Sequence, residues 1–180
     1  MMAKLLLLSD IFSKTQATQA LAKSLDATLL CANDTALPTT QQHQAYQQFI
    51  AKGGHDEYLH RVMQTLERFR QVDVIGFSAG ASAAWRAISQ TRNVSRALLF
   101  YPTQIRHHVD LVPSCNTDII FARHESAFDV KQLMATLSHP RIHCHRSAYE
   151  HGFMNPLASS SSAQARDYGN ALIAQWRRRG

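Results

Sequence analysis

Residues 72–88 read VDVIGFSAGASAAWRAI, and the reading of this stretch decides the fold. Val72, Val74 and Ile75 form a short apolar run of strand character, while residues 79–88, rich in alanine, have the pattern of a helix packed closely against a neighbour. A chain that turns from strand to helix in so few residues holds the residue between them, Ser78, in a strained backbone conformation. Flanking residues without bulk relieve that crowding, and Gly76 and Gly80 supply them. The pattern G-x-S-x-G in this setting is a nucleophile elbow, which lifts the serine oxygen clear of the sheet and aims the first helical N–H groups at it. Ser78 is the candidate nucleophile on this reading. A tight turn that needed only small residues is the alternative.

Outward from the elbow, strand and helix alternate. The run KLLLL at residues 4–8 suits a strand buried on both faces. Residues 13–25 follow with helical spacing, and residues 27–31 return to strand character. Residues 33–48 are polar, with Pro38 and a glutamine-rich segment, and read as a loop followed by a short helix. An amphipathic helix over 57–69 comes after the Gly53-Gly54 break. Strands are predicted at 96–102, 117–122 and 141–147, with a helix over 128–137 between the last two. Hydroxyls at 159–162 can cap a final helix running to about Arg178. Alternation without hairpin signals predicts a three-layer α/β sandwich: a mostly parallel sheet of about six strands with helices on both faces. At 180 residues the chain suits one domain, 1–180, with one sizeable core.

The composition, 45% apolar and 18% charged, is that of an ordinary soluble protein. The first ten residues carry an apolar run too short for a signal peptide core, and no later stretch approaches the ~20 apolar residues of a membrane span. A cytoplasmic location without membrane association is expected. Cys31, Cys115 and Cys144 are widely spaced and odd in number, so reduced thiols are expected. The formal charge of +6 is scattered except for Arg177, Arg178 and Arg179, which fit the last turn of a helix, and no nucleic-acid partner is expected. His143 and His145 share one side of a strand, but no third ligand sits at a matching spacing. No metal and no cofactor are expected.

In a parallel sheet the reactive groups gather beyond the carboxyl ends of the strands. The predicted strand ends carry SDIF at 9–12, the elbow, FARHESAFD at 121–129 and YEHGFMNP at 149–156. Serine, then acid, then histidine is the chain order of a hydrolase triad on an α/β sheet. An alcohol needs a base poised near neutral pH, and His151 fits that role. A carboxylate must then hold the imidazole tautomer. Glu125 is the candidate, with Asp129 four residues on as its rival.

These segments together resemble the dienelactone hydrolase family of the α/β-hydrolase superfamily, whose members show an acid-Ile-Phe segment after an early strand, an elbow, a strand-end acid and His-Gly-Phe. The resemblance covers roughly residues 5–156. It implies an α/β-hydrolase fold with Ser78 as nucleophile, Glu125 as acid, His151 as base, and the backbone N–H groups of Ile11 and Ala79 as the oxyanion hole. The sequence departs from the best-known members in carrying serine at the elbow where they have cysteine, and glutamate where aspartate is usual. Asp10 is a helix cap or lies beside the nucleophile as the family's acid does. Phe12, Tyr101, Phe128 and Met154, with His107 in a short polar segment that suggests an open site, are candidates to line an acyl pocket, or else core. The expected activity is cleavage of an ester, thioester or lactone of a small substrate through an acyl-enzyme. A non-catalytic binding protein and an acyltransferase using the same three residues are the alternatives.

Overall fold

A computed structural model of the protein describes residues 4–33 and 41–180. Most of the polar loop expected after residue 33 lies outside the described residues. Among them, six strands form one sheet: β1 (Leu5–Leu8), β2 (Ala27–Leu30), β3 (Val72–Phe77), β4 (Val94–Phe100), β5 (Asn116–Phe121) and β6 (Ile142–Arg146). Their order is β2-β1-β3-β4-β5-β6, and every neighbouring pair is parallel. The connections carry α1 (Gln16–Ser24), α2 (Gln42–Ala51), α3 (Gly54–Leu66), α4 (Ala79–Ile88) and α5 (Val130–Thr136), with a 3₁₀ turn at Gln104–His107, and α6 (Ala163–Arg178) follows β6. No helix among the described residues is long and apolar enough to cross a membrane.

Successive strand residues point to opposite faces, so a sheet covered on both sides needs apolar residues at every position. The central strands meet that need. Leu6, Leu8, Val74, Leu99 and Phe121 face a core with α2, α3, α4 and α5. Leu5, Leu7, Ile75, Leu98 and Phe100 face a second core with α1 and α6. β6 is an edge strand, and its exposed His143, His145 and Arg146 blunt that edge against further pairing.

Several helix boundaries differ from the sequence expectation by a few residues, and caps explain them. α1 starts at Gln16, where Thr15 Oγ1 accepts a hydrogen bond from Thr18 N at 3.1 Å. α3 starts at Gly54, three residues early, because Gly53 takes a φ of 99° and Asp56 and Glu57 fall in the first turn, where acids favour the helix dipole. α5 starts only at Val130, because Asp129 is its cap and accepts from Gln132 N at 2.9 Å.

One charged residue fastens α6 to the amino-terminal end of the sheet. The Arg96 guanidinium pairs with the buried Asp73 carboxylate at 2.7 Å, donates to the Trp176 carbonyl at 2.6 Å and lies 4.1 Å over the Trp176 ring. Arg96→Ala should leave Asp73 as an uncompensated buried charge, with a loss of ~3 kcal/mol in urea unfolding. Arg96→Lys should recover only part of that, since an ammonium cannot bridge carboxylate and carbonyl as a planar fork does.

Candidate active site

The strand order reverses between β1 and β3, since β2 lies outside β1 on one side while β4 to β6 extend on the other. A crevice opens beyond the carboxyl ends of strands at such a switch point. The loop after β1 and the elbow after β3 both enter it. Ser78 has φ 50° and ψ −111°, a combination that non-glycine residues seldom adopt. Its backbone is held on both sides, by Ser78 N donating to Phe100 O at 2.9 Å and by its carbonyl accepting from Ser82 N at 2.9 Å.

The two elbow glycines are required by close backbone approach. A Cβ on Gly76 would stand 2.8 Å from the Cα and N of Ala81, and one on Gly80 would stand 2.5 Å from the Ser9 carbonyl oxygen. The first turn of α4 therefore sits directly on the end of β1. That brings the Ile11 loop and the α4 amino terminus together beside Ser78. No described residue accepts a hydrogen bond from the N–H of Ile11 or of Ala79, and both residues line the same cleft of about 540 Å³ with Ser78.

His151 Nε2 lies 3.0 Å from Ser78 Oγ, and His151 Nδ1 lies 2.8 Å from Glu125 Oε1. Glu125 reaches this point from a tight turn after β5, in which Glu125 pairs with Phe128 across Ser126 and Ala127. Its side chain is 9% exposed. Asp129 is turned away as the cap of α5, and its hydrogen bond from Gln132 N holds its carboxyl below the ordinary value. The His151 loop is anchored by its own sequence. Phe153 is fully buried with its ring 5.3 Å from that of Tyr101, Gly152 takes φ 82°, and Ser160 Oγ donates to the His151 carbonyl at 2.6 Å.

Asp10 joins the two loops. Its Oδ1 accepts from Phe12 N at 2.9 Å, closing a turn that shapes the Ile11 loop, and its Oδ2 accepts from Asn155 Nδ2 at 2.9 Å. Burial raises the Asp10 carboxyl to about 6, opposed chiefly by those hydrogen bonds from Phe12 and Asn155. Phe12 and Tyr101 also line the cleft. Met154, Phe128 and His107 do not. Met154 lies on the other side of Tyr101, in a cavity between α1 and α6, Phe128 faces Arg106 with its ring 5.8 Å from the guanidinium, and His107 is exposed near α4.

The sequence reading missed Asn155, His55 and Arg106. Asn155 stands four residues after His151, where its only signal is the turn-forming Asn-Pro pair. His55 and Arg106 reach the cleft wall from α3 and the 3₁₀ turn, which nothing local in the sequence announces. Burial, with Arg86 adding to it, depresses the His55 imidazole to about 4, so it stands neutral at pH 7. Among the described residues no group of three or more His, Cys, Asp or Glu side chains could hold a metal ion, and the three cysteines form no disulfide.

A carboxyl whose folded value is raised binds its proton more tightly in the folded chain than in the unfolded one. Asp10 should thus favour folding below about pH 4 relative to neutral pH, its contribution falling as pH rises to about 6 and then levelling. Asp10→Asn removes that dependence. The stability difference between parent and variant, from urea unfolding at pH 4 to 7.5, should move against the parent by up to ~3 kcal/mol, and a flat difference would refute it.

The chain is 31% identical over 135 residues to the uncharacterized protein YczH of Bacillus subtilis (strain 168), a match covering 71% of this chain and 65% of that protein, so the matched region spans about two thirds of the relative's length. A dienelactone hydrolase-like promiscuous phosphotriesterase from metagenomic libraries superposes with a TM-score of 0.70 at 11% identity, over 98% of this chain and 86% of that one. A cold-adapted esterase from an Arctic intertidal metagenomic library superposes with a TM-score of 0.61 at 15% identity, over 93% and 81% of the two chains. At such identities these two likenesses establish the α/β-hydrolase fold. The sequence model of the dienelactone hydrolase family matches residues 7–179, nearly the whole of the chain, and the protein belongs to that family.

Proposed function

We propose that the protein is a serine hydrolase that cleaves an ester, thioester or lactone of a small substrate through an acyl-enzyme on Ser78. The observation that carries this reading is the unbroken relay from Ser78 Oγ to His151 Nε2 at 3.0 Å and from His151 Nδ1 to Glu125 Oε1 at 2.8 Å. In this mechanism Ser78 Oγ attacks the acyl carbon as its proton passes to His151 Nε2. The negative charge that develops on the acyl oxygen is met by the N–H groups of Ile11 and Ala79, which donate to no acceptor among the described residues. Glu125 keeps the imidazole in the tautomer with its proton on Nδ1 and stabilises the imidazolium. His151 then protonates the leaving group, and a water deprotonated by the same nitrogen attacks the acyl-enzyme and frees Ser78.

The cleft, of about 540 Å³, has the volume of a small-molecule site. Its wall mixes the neutral His55 with Arg106 and Gln104, which suits a substrate with polar substituents. The esterase and phosphotriesterase neighbours make activated aryl esters and aryl phosphotriesters the natural first panel. Desolvation keeps the thiols of buried Cys31 and Cys115 and of half-buried Cys144 protonated, which suits the reducing cytoplasm.

Ser78→Ala should keep the fold, because its neighbours in the elbow are small, and lose a factor on the order of 10³ or more in turnover of p-nitrophenyl acetate. A fluorophosphonate probe should label the parent at Ser78 and leave the variant unmodified, as intact-mass spectrometry would show. Equal turnover by parent and variant removes Ser78 from the mechanism. Glu125→Gln should cost roughly 10²–10⁴ in turnover, through the wrong imidazole tautomer, and Asp129→Asn should cost far less. The reverse ranking, in variants with parental circular dichroism, would reassign the acid.

A further inference from the structure

A second cavity, of about 510 Å³, opens between α1 and α6 on the opposite side of Tyr101 from Ser78. Ala17 and Leu21 of α1 with Leu25, its C-cap, line one side, Ile173 and Ala174 of α6 the other, and Phe77 lies between them. Asp10, Tyr101 and Asn155 line both this cavity and the cleft, so the two are separated by one layer of side chains. Apolar walls with a few convergent polar groups, in a volume of about 300–1,000 Å³, are the usual make-up of a small-molecule site.

Just behind the polar end of the cavity, covered by Met154, lies an unmet demand. Tyr101 is 1% exposed, and its hydroxyl has no hydrogen-bond partner among the described residues. A buried hydroxyl without a partner is costly and is rarely left so. Burial first, and then the Asp10 carboxyl, push the phenol well above its ordinary value, so it stays a donor in need of an acceptor. The Met154 N–H faces the hydroxyl but makes no hydrogen bond of ordinary geometry with it. Met154 itself can yield. Its sulphur rests against Gly169 of α6, in the space a Cβ there would need, and a flexible thioether repacks readily around an incoming group. Asp10 beside the hydroxyl disfavours an anion at that end, where both of its oxygens already accept hydrogen bonds, and Arg166, the cation in the lining, is held by Ser161 Oγ at 2.8 Å.

We propose that the cavity between α1 and α6 is a second binding site, separate from the cleft over Ser78, for a small neutral molecule that is mostly apolar and carries one acceptor oxygen for the Tyr101 hydroxyl. An alkyl ketone has this chemistry. The site does not depend on Ser78 being a nucleophile. It shares its wall with the cleft, so an occupant would press on Tyr101, whose ring lies 4.9 Å from that of His151, and on the Asp10–Asn155 bond.

The test is titration of the methyl-labelled full chain with 2-nonanone, followed by NMR. Saturable shifts are expected at the methyls of Leu21, Leu25 and Ile173, with those of Ala127 and Ala158 in the cleft unmoved. Ala174→Trp should fill the cavity and abolish the shifts, and Tyr101→Phe should weaken binding by up to about tenfold, the loss of one hydrogen bond. The nonanoate anion should bind more weakly than the ketone. Circular dichroism establishes that each variant is folded, and Ala174→Trp on the surface of α6 decides the matter if Tyr101→Phe does not fold. Shifts confined to the cleft methyls, no saturable shift, unchanged affinity in Ala174→Trp, or tighter binding of nonanoate would each overturn the proposal. Fluorophosphonate labelling of Ser78, read separately by mass, keeps the fate of this site distinct from that of the hydrolase reading.

Discussion

The contact on which the site depends is the seating of the α4 amino terminus on the end of β1. With the Cβ position of Gly80 2.5 Å from the Ser9 carbonyl oxygen, no side chain fits between helix and strand. That contact fixes three things together. It sets the height of Ser78 above the sheet, forces its backbone into a strained turn, and brings the Ile11 loop alongside the Ala79 N–H. The strain is held by hydrogen bonds to Phe100 and Ser82, groups of β4 and α4 that are themselves buried in the central layers. A rigid neighbourhood of this kind is what lets a polypeptide retain an unfavourable conformation at a reactive residue.

The second half of the site is hung from a hydrophobic anchor. Phe153, fully buried among Phe100, Tyr101 and Tyr149, pins the loop that carries His151, while Asn155 ties the same loop to Asp10 across the crevice. The apolar contact supplies most of the holding force and the hydrogen bond supplies the orientation, because burial is strong but non-directional. Glu125 is fixed differently, by a two-residue turn on the end of β5 and by the clamp of Arg146 on the Arg123 carbonyl beside it. Three loops from three strands thus converge through three separate devices, each tied to the rigid sheet.

The electrostatics of the crevice follow from the burial of two groups in its wall. Asp10 is lifted to about 6 by burial even though it accepts two hydrogen bonds, and His55 is pushed down to about 4. Both shifts favour the uncharged forms, as burial in a low dielectric does. At pH 7 Asp10 is still mostly ionised, and it shares the cleft wall with the Arg106 guanidinium and the Glu125–His151 pair.

Much of the architecture was legible in the sequence because its signals are local. An unbroken leucine run at 5–8 suits a strand buried on two faces, alternation of such runs with helical spacing points to a parallel sheet, and two glycines around Ser78 announce a close approach. The elements that the sequence left a few residues astray were displaced locally: at α1 and α5 a single capping side chain outweighs periodicity, and at α3 the left-handed Gly53 starts the helix early. The lining of the cleft was less legible. Phe12 and Tyr101 face it, but Met154, Phe128 and His107 point elsewhere, since the side of a loop on which a residue falls is set by what packs beneath it. Only the tertiary structure brought Asn155 to Asp10, 145 residues away, Arg96 to Asp73 and Trp176, and His55 to the cleft wall. Those contacts join segments distant in the chain, and no propensity or spacing encodes them: they exist because the strand order β2-β1-β3-β4-β5-β6 places particular strand ends side by side.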